Sequence, residues 1–86
     1  MMIKEVTIQN PSGIHAIYAA QISQLCHHYK SDVFLRKGKQ TANARSLMSV
    51  LGLCVRKGET LKLMVDGIDE AEAMAAVFGF LENLSE

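Results

Sequence analysis

The heptapeptide Asn10-Pro11-Ser12-Gly13-Ile14-His15-Ala16 carries the residue of this chain best suited to chemistry. Pro11 pre-sets φ for a turn, and Gly13 permits the positive φ that the turn needs two residues later. A long apolar-periodic run follows, so His15 is predicted at the start of a helix, where backbone N–H groups lack intrahelical partners. A neutral imidazole nitrogen is a competent nucleophile near neutral pH. Beside unpaired amides at the positive end of a helix dipole it suits chemistry on an anion, phosphate above all. The plainer alternative is a histidine that only hydrogen-bonds locally.

A second candidate is Ser46, placed to N-cap a short apolar helix that begins with Leu47 and ends at or just after Gly52. A phosphate added there meets the helix dipole favourably, so modification need not unfold anything. Its effect falls instead on any partner that reads Leu47, Met48 and Leu51 as an uncharged apolar patch. Cys26, His27 and His28, with His15 or Cys54 as distant partners, raise a metal reading. Consecutive helix residues point about 100° apart, however, which suits no zinc site, and no metal or other cofactor is expected. Met48, Met64 and Met74 read as packing residues. Asp66, Asp69 and Glu70 fall at a turn and a helix start, which explains them without catalysis.

These candidates need a scaffold. Met2 to Ile8 alternates as a strand, with Val6 and Ile8 on one face and Glu5 and Thr7 on the other. Tyr18, Ile22, Leu25, Cys26 and Tyr29 form one stripe of a helix from about Ala16 to Tyr29. Val33 to Lys37 and Gln40 to Ala42 read as a hairpin across Lys37-Gly38-Lys39-Gln40. Thr60 to Asp66 alternates with Leu61, Leu63 and Val65 inward, and a last helix runs from about Glu70 to Leu84 on Met74, Val77, Phe78, Leu81 and Leu84. The order β-α-β-β-α-β-α, with one-sided helices and alternating strands, implies an α+β fold: helices on one face of a largely antiparallel sheet.

The chain has 86 residues, enough for one domain (1–86) with one core. Its net charge is zero, which excludes nucleic-acid or membrane binding by bulk electrostatics. The charges are nonetheless segregated. Lys30, Arg36, Lys37, Lys39, Arg45, Arg56, Lys57 and Lys62 face only Asp32 and Glu59 in the middle, and every charged residue after Lys62 is acidic. That basic middle is either a site for an acidic partner or an ordinary solvated surface. A nucleic-acid module fits poorly, because no strand carries paired exposed aromatics for stacking. No run is long enough to span a bilayer, and no signal-peptide pattern opens the chain. Two cysteines without close spacing fit a reducing cytosol, so a cytoplasmic location is expected. Ile14, Ile17, Leu47 and Met48 are candidates for an exposed patch that pairs two copies.

Over nearly its whole length the sequence resembles the HPr family, the histidine-containing phosphocarriers of the bacterial phosphoenolpyruvate-dependent sugar phosphotransferase system. The resemblance rests on Lys4-Glu5-Val6-Thr7-Ile8, on Asn10 to Ala16, and on Ala42-Asn43-Ala44-Arg45-Ser46-Leu47-Met48. Lys57-Gly58, Asp66-Gly67 and Glu82-Asn83-Leu84 add to it. It implies an open-faced β-α-β-β-α-β-α sandwich of four antiparallel strands with three helices on one face. It also implies that His15 takes a phosphoryl group from enzyme I on Nδ1 and passes it to sugar-specific enzyme IIA domains. Such a chain is a carrier rather than a turnover enzyme. Ser46 matches the family's regulatory site for an ATP-dependent kinase, with a transcription regulator as a further partner, and Leu47, Met48 and Leu51 match its docking patch.

One departure bears on mechanism. Where the family signature continues with arginine and proline, this chain has Ile17 and Tyr18. A charge-assisted contact of the kind lost is worth ~1.5–3 kcal/mol, or roughly one to two powers of ten in rate if felt wholly in the transition state. Tyr18, unlike proline, keeps a backbone N–H, and the amides of Ala16, Ile17 and Tyr18 are expected to hold the phosphoryl group instead. The departure leaves an alternative from another class: an HPr-like regulatory paralogue acting mainly through Ser46 and protein binding, weak or inactive in histidine phosphotransfer.

Overall fold

Leu61, Leu63 and Val65 are fully buried while Thr60, Lys62 and Asp66 face solvent, the two-residue period of a strand covered on one side only. The computed structural model describes all residues, 1–86. Its elements are β1 (Met2–Thr7), α1 (Ala16–Cys26), β2 (Asp32–Lys37), β3 (Gln40–Asn43), α2 (Leu47–Gly52), β4 (Thr60–Asp66) and α3 (Glu70–Glu82). The four strands form one antiparallel sheet in the order β1-β4-β2-β3. β4 is thus inserted between β1 and β2, and α1 carries the chain over it from one to the other.

The three helices pack on one face of this sheet, which is the architecture anticipated from the pattern. Val6, Val33, Leu35, Ala42, Leu61, Leu63 and Val65 from the strands meet Ala19, Ile22 and Cys26 of α1, Val50 of α2 and Ala73, Met74, Val77 and Leu81 of α3 in one core. Burying a side chain the size of Ile22 or Leu63 completely stabilises by about 1.5–3 kcal/mol, and this shared layer holds α1 in place. The sheet's other face has no layer over it.

Four expectations need correcting. α1 ends at Cys26, short of Tyr29, because the chain tightens: His28 N–H reaches Leu25 O and Tyr29 N–H reaches Cys26 O, each three residues back. α3 ends at Glu82, where Asn83 Nδ2 donates to Gly79 O at 2.7 Å and satisfies a carbonyl of the last turn. Ile14 is 5% exposed and belongs to the core, so it contributes nothing to a surface patch. Of the three methionines read as packing residues only Met74 is buried; Met48 is 74% exposed and Met64 lies half-covered on the open face of the sheet.

Candidate functional site

The loop between β1 and α1 is held from both sides before it delivers His15. Ile8 pairs with the β4 approach through Ile8 N–H to Glu59 O (2.9 Å) and Gly58 N–H to Ile8 O (2.7 Å). Asn10 is buried, and its Nδ2 donates to Gly13 O at 2.8 Å while Gly13 N–H donates to Asn10 O at 3.2 Å. Gly13 has φ +64° and lies so close to Val55 and Arg56 that a Cβ would collide with the Val55 carbonyl. Ile14 then plugs into the core and donates its N–H to Val55 O at 3.1 Å. These contacts determine where the chain emerges as α1.

His15 is the N-cap of α1, extended at φ −86° and ψ −178°. Its Nδ1 accepts from Ile17 N–H at 3.2 Å, so Nδ1 carries the lone pair and the proton of the neutral ring sits on Nε2. The N–H groups of Ala16 and Tyr18 have no acceptor within the chain, whereas Ala19 N–H already donates to His15 O. Of the three amides in this first turn, that of Ile17 meets Nδ1 and those of Ala16 and Tyr18 are left without an acceptor. The ring is stacked on Tyr18, with centroids 4.3 Å apart and planes 22° from parallel. Tyr18 in turn meets the edge of Phe80 at 6.3 Å, and its hydroxyl oxygen accepts from Glu86 N–H at 3.3 Å. Glu86 also closes over the turn, its main-chain oxygen accepting from both the N–H and the hydroxyl of Ser12. The stacked tyrosine spans α1 and α3; a sequence shows the residue but not this pairing.

Ser46 is the N-cap of α2, and its Oγ accepts from Ser49 N–H at 3.2 Å. The neighbouring Arg45 turns inward instead of towards it. Arg45 Nη2 donates to Tyr29 O at 2.5 Å and to Ser31 O at 3.3 Å, and Arg45 O accepts from Ser23 Oγ at 2.6 Å. α1 and α2 pack against each other. Ile17 on α1 is 64% exposed and Leu47 on α2 38%, with Met48 more open still and Leu51 half-buried.

The remaining candidates do not assemble into a centre. Cys26 is buried and its thiol is pushed up to about 11 by desolvation, against a smaller opposing effect of Arg45. His27 and His28 are exposed, with His27 Nδ1 2.6 Å from Ser23 O, and Cys54 lies on another loop. No three histidine, cysteine or acidic side chains come together as metal ligands would. Asp69 does something unforeseen. It stands at the N-cap of α3 and its carbonyl accepts from Ala73 N–H, but its carboxylate makes no bond to that helix and accepts instead from the N–H groups of Lys30 and Ser31 and from Ser31 Oγ. The Ser31 hydroxyl first, then the Lys30 amide, hold its carboxyl below the usual aspartate range. Gly67, at φ +156°, lets the backbone reach Ser31, where a Cβ would stand 2.6 Å from Ser31 Cα.

Comparison with known proteins agrees with this architecture. The family model described as "PTS HPr component phosphorylation site" matches residues 2–83. The HPr-like protein Crh of Halalkalibacterium halodurans is 34% identical over 83 residues, 96% of this chain and 99% of that protein. The phosphocarrier protein HPr of Cupriavidus necator is 35% identical over 83 residues, 96% of this chain and 93% of its own length. Among solved structures, HPr-C-His from Thermoanaerobacter tengcongensis superimposes with a TM-score of 0.90 at 33% identity, covering 95% of this chain and 92% of that one. A family match from the first strand into the end of the last helix, together with the shared open-faced sandwich, makes this chain a member of the HPr phosphocarrier family of the phosphotransferase system.

Proposed function

We propose that this chain is a cytoplasmic phosphocarrier: His15 accepts a phosphoryl group from enzyme I and passes it to sugar-specific enzyme IIA domains. The observation that carries the reading is the direction of the Nδ1 lone pair, 3.2 Å from Ile17 N–H at the positive end of α1. The lone pair attacks phosphorus as the bond to the donor group breaks. The Ile17 N–H then turns from the nitrogen to a phosphoryl oxygen, alongside the free N–H groups of Ala16 and Tyr18. Tyr18, stacked on the ring, limits its rotation, so little ordering remains to be done in the transition state. The group leaves by the same path, and each His15 carries one phosphoryl group per cycle. Ile17, Leu47, Met48 and Leu51 supply the apolar contact for both partners.

Ser46 is the regulatory position in this reading. A phosphate there adds about −1.5 to −2 charges at the N-terminus of α2, where helix N–H groups donate to it. Arg45 is committed to Tyr29 and Ser31 and does not neutralise that charge, so it stays on show beside Leu47 and Met48. Partners that need an apolar patch are repelled, and a regulator with a basic surface gains a contact. Incubation with enzyme I and phosphoenolpyruvate followed by intact-mass measurement is the test. One acid-labile phosphoryl group is expected, lost in His15→Ala; its absence from the folded wild-type chain would remove the carrier role.

A further inference from the structure

The uncovered face of the sheet sets like charges opposite one another on either side of an apolar row. Along the β2–β4 ladder the outward residues pair in register as Asp32 with Asp66, Phe34 with Met64, and Arg36 with Lys62. Ile3 of β1 extends the middle row beside Met64 and is 54% exposed. Like charges directly opposite one another destabilise a sheet, and here two such pairs of opposite sign flank an apolar row. Asp32, Arg36 and Lys62 have no intrachain ion pair, although Glu5 stands in register with Lys62. Asp66 meets only the Met1 amino group at 3.5 Å, and Arg36 Nε donates to Gly38 O at 2.9 Å.

We propose that this face is a self-association surface whose occupant is a second copy of the chain. The two copies are related by a two-fold axis lying in the interface along the Ile3–Met64–Phe34 row. Rotation about that axis reverses the strand direction. It sets Asp32 over Arg36 and Asp66 over Lys62 of the second copy, and lays the apolar row on itself. The other in-plane axis, parallel to the strands, would set like charge over like, so the pattern selects one arrangement. Facing sheets stand about 10 Å apart and cross at about 30°. Each charge lies about 6.6 Å from the axis, so that crossing displaces it by about 3 Å, within reach of an arginine or lysine side chain. Four strands about 4.8 Å apart and some six residues long make a face of about 400 Å². That is about half of the ~800 Å² per partner in a stable complex, so the dimer is weak, reversible and salt-sensitive. The helices lie on the far side, and His15 and Ser46 stay accessible in the dimer.

Charge exchange tests this. Arg36→Glu with Lys62→Glu makes all four charged positions of the ladder acidic, and Asp32→Lys with Asp66→Lys makes them all basic. In sedimentation equilibrium at low salt the wild-type chain is expected to self-associate with rising concentration. Each double variant should associate roughly tenfold or more weakly, and their equimolar mixture should regain the dimer. Amide shifts on association should map to the outward residues of β1, β4 and β2. Should a reversal perturb the fold, Arg36→Gln with Lys62→Gln, and wild-type chain at high salt, carry the test instead, with weakening expected in both. A wild-type chain still monomeric at about 1 mM in low salt would overturn the proposal. So would a mixture no more associated than its components, or a dimer indifferent to both double variants.

Discussion

Replacing Gly13 with alanine tests the loop that delivers His15. At φ +64° an L-residue costs about 1–2 kcal/mol, and the new Cβ collides with Val55 O and lies 2.8 Å from Arg56 Cα. Relieving the collision separates the two loops and breaks the bond from Ile14 N–H to Val55 O, a further 0.5–1.5 kcal/mol or so. Gly13→Ala is therefore expected to lose about 1.5–3.5 kcal/mol, seen as a Tm lower by roughly 10–20 °C. His15 follows two residues later, and a displacement of about 1 Å lowers phosphotransfer by up to about 10²-fold in the fraction that remains folded. Urea unfolding and enzyme I-dependent phosphorylation at low temperature measure the two effects separately. Gly13→Asn isolates the steric part, since asparagine tolerates positive φ but still carries the Cβ. A loss below about 0.5 kcal/mol with wild-type transfer would show that the Gly13–Val55 contact does not position the histidine.

Four further outcomes follow from the site and its supports. Ile17→Arg should raise the transfer rate less than about tenfold, below the one to two powers of ten available to a charge-assisted contact, if the amides of Ala16, Ile17 and Tyr18 hold the phosphoryl group as proposed; a hundredfold gain in stopped-flow transfer would refute that. Tyr18→Phe keeps the stack on His15 and should transfer at the wild-type rate, whereas Tyr18→Leu should lose roughly two- to tenfold. Ser46→Ala removes the acceptor for Ser49 N–H and should cost about 0.5–2 kcal/mol in chemical unfolding. Asp69, its carboxyl held low by Ser31 and Lys30, stabilises the fold above the ordinary aspartate pKa of about 3.9, and this contribution is lost as pH falls through the lower folded value. Glu70, held low by the Gly67 amide and the Met1 amino group, acts in the same sense. The acid limb of a stability–pH curve should therefore flatten in Asp69→Asn, and an unchanged limb would rule out the clamp as its cause.

Patterns with a short period could be read from residues alone. The alternation Leu61-Lys62-Leu63-Met64-Val65 identifies β4 to the residue, and Ser46 before an apolar run identifies α2 and its cap, because side-chain direction along a strand or helix is set by the backbone repeat. Pro11, Gly13 and His15 likewise announce a turn and a helix start. Boundaries were less legible at Tyr29 and Leu84, where an apolar residue stays half-buried after the helix has ended and so prolongs the stripe. What no local reading supplied were the meetings of residues far apart in the chain. Tyr18 against Phe80, Asp69 across to Ser31, and Asp32 opposite Asp66 depend on helix packing and strand register, which the whole core decides together. The amino-acid order determined which groups the protein possesses and the periodicity that sorts them inside or out. Tertiary structure decided which ring backs Tyr18 and which charges share a face, because both depend on contacts that close only when the sheet and its helices assemble.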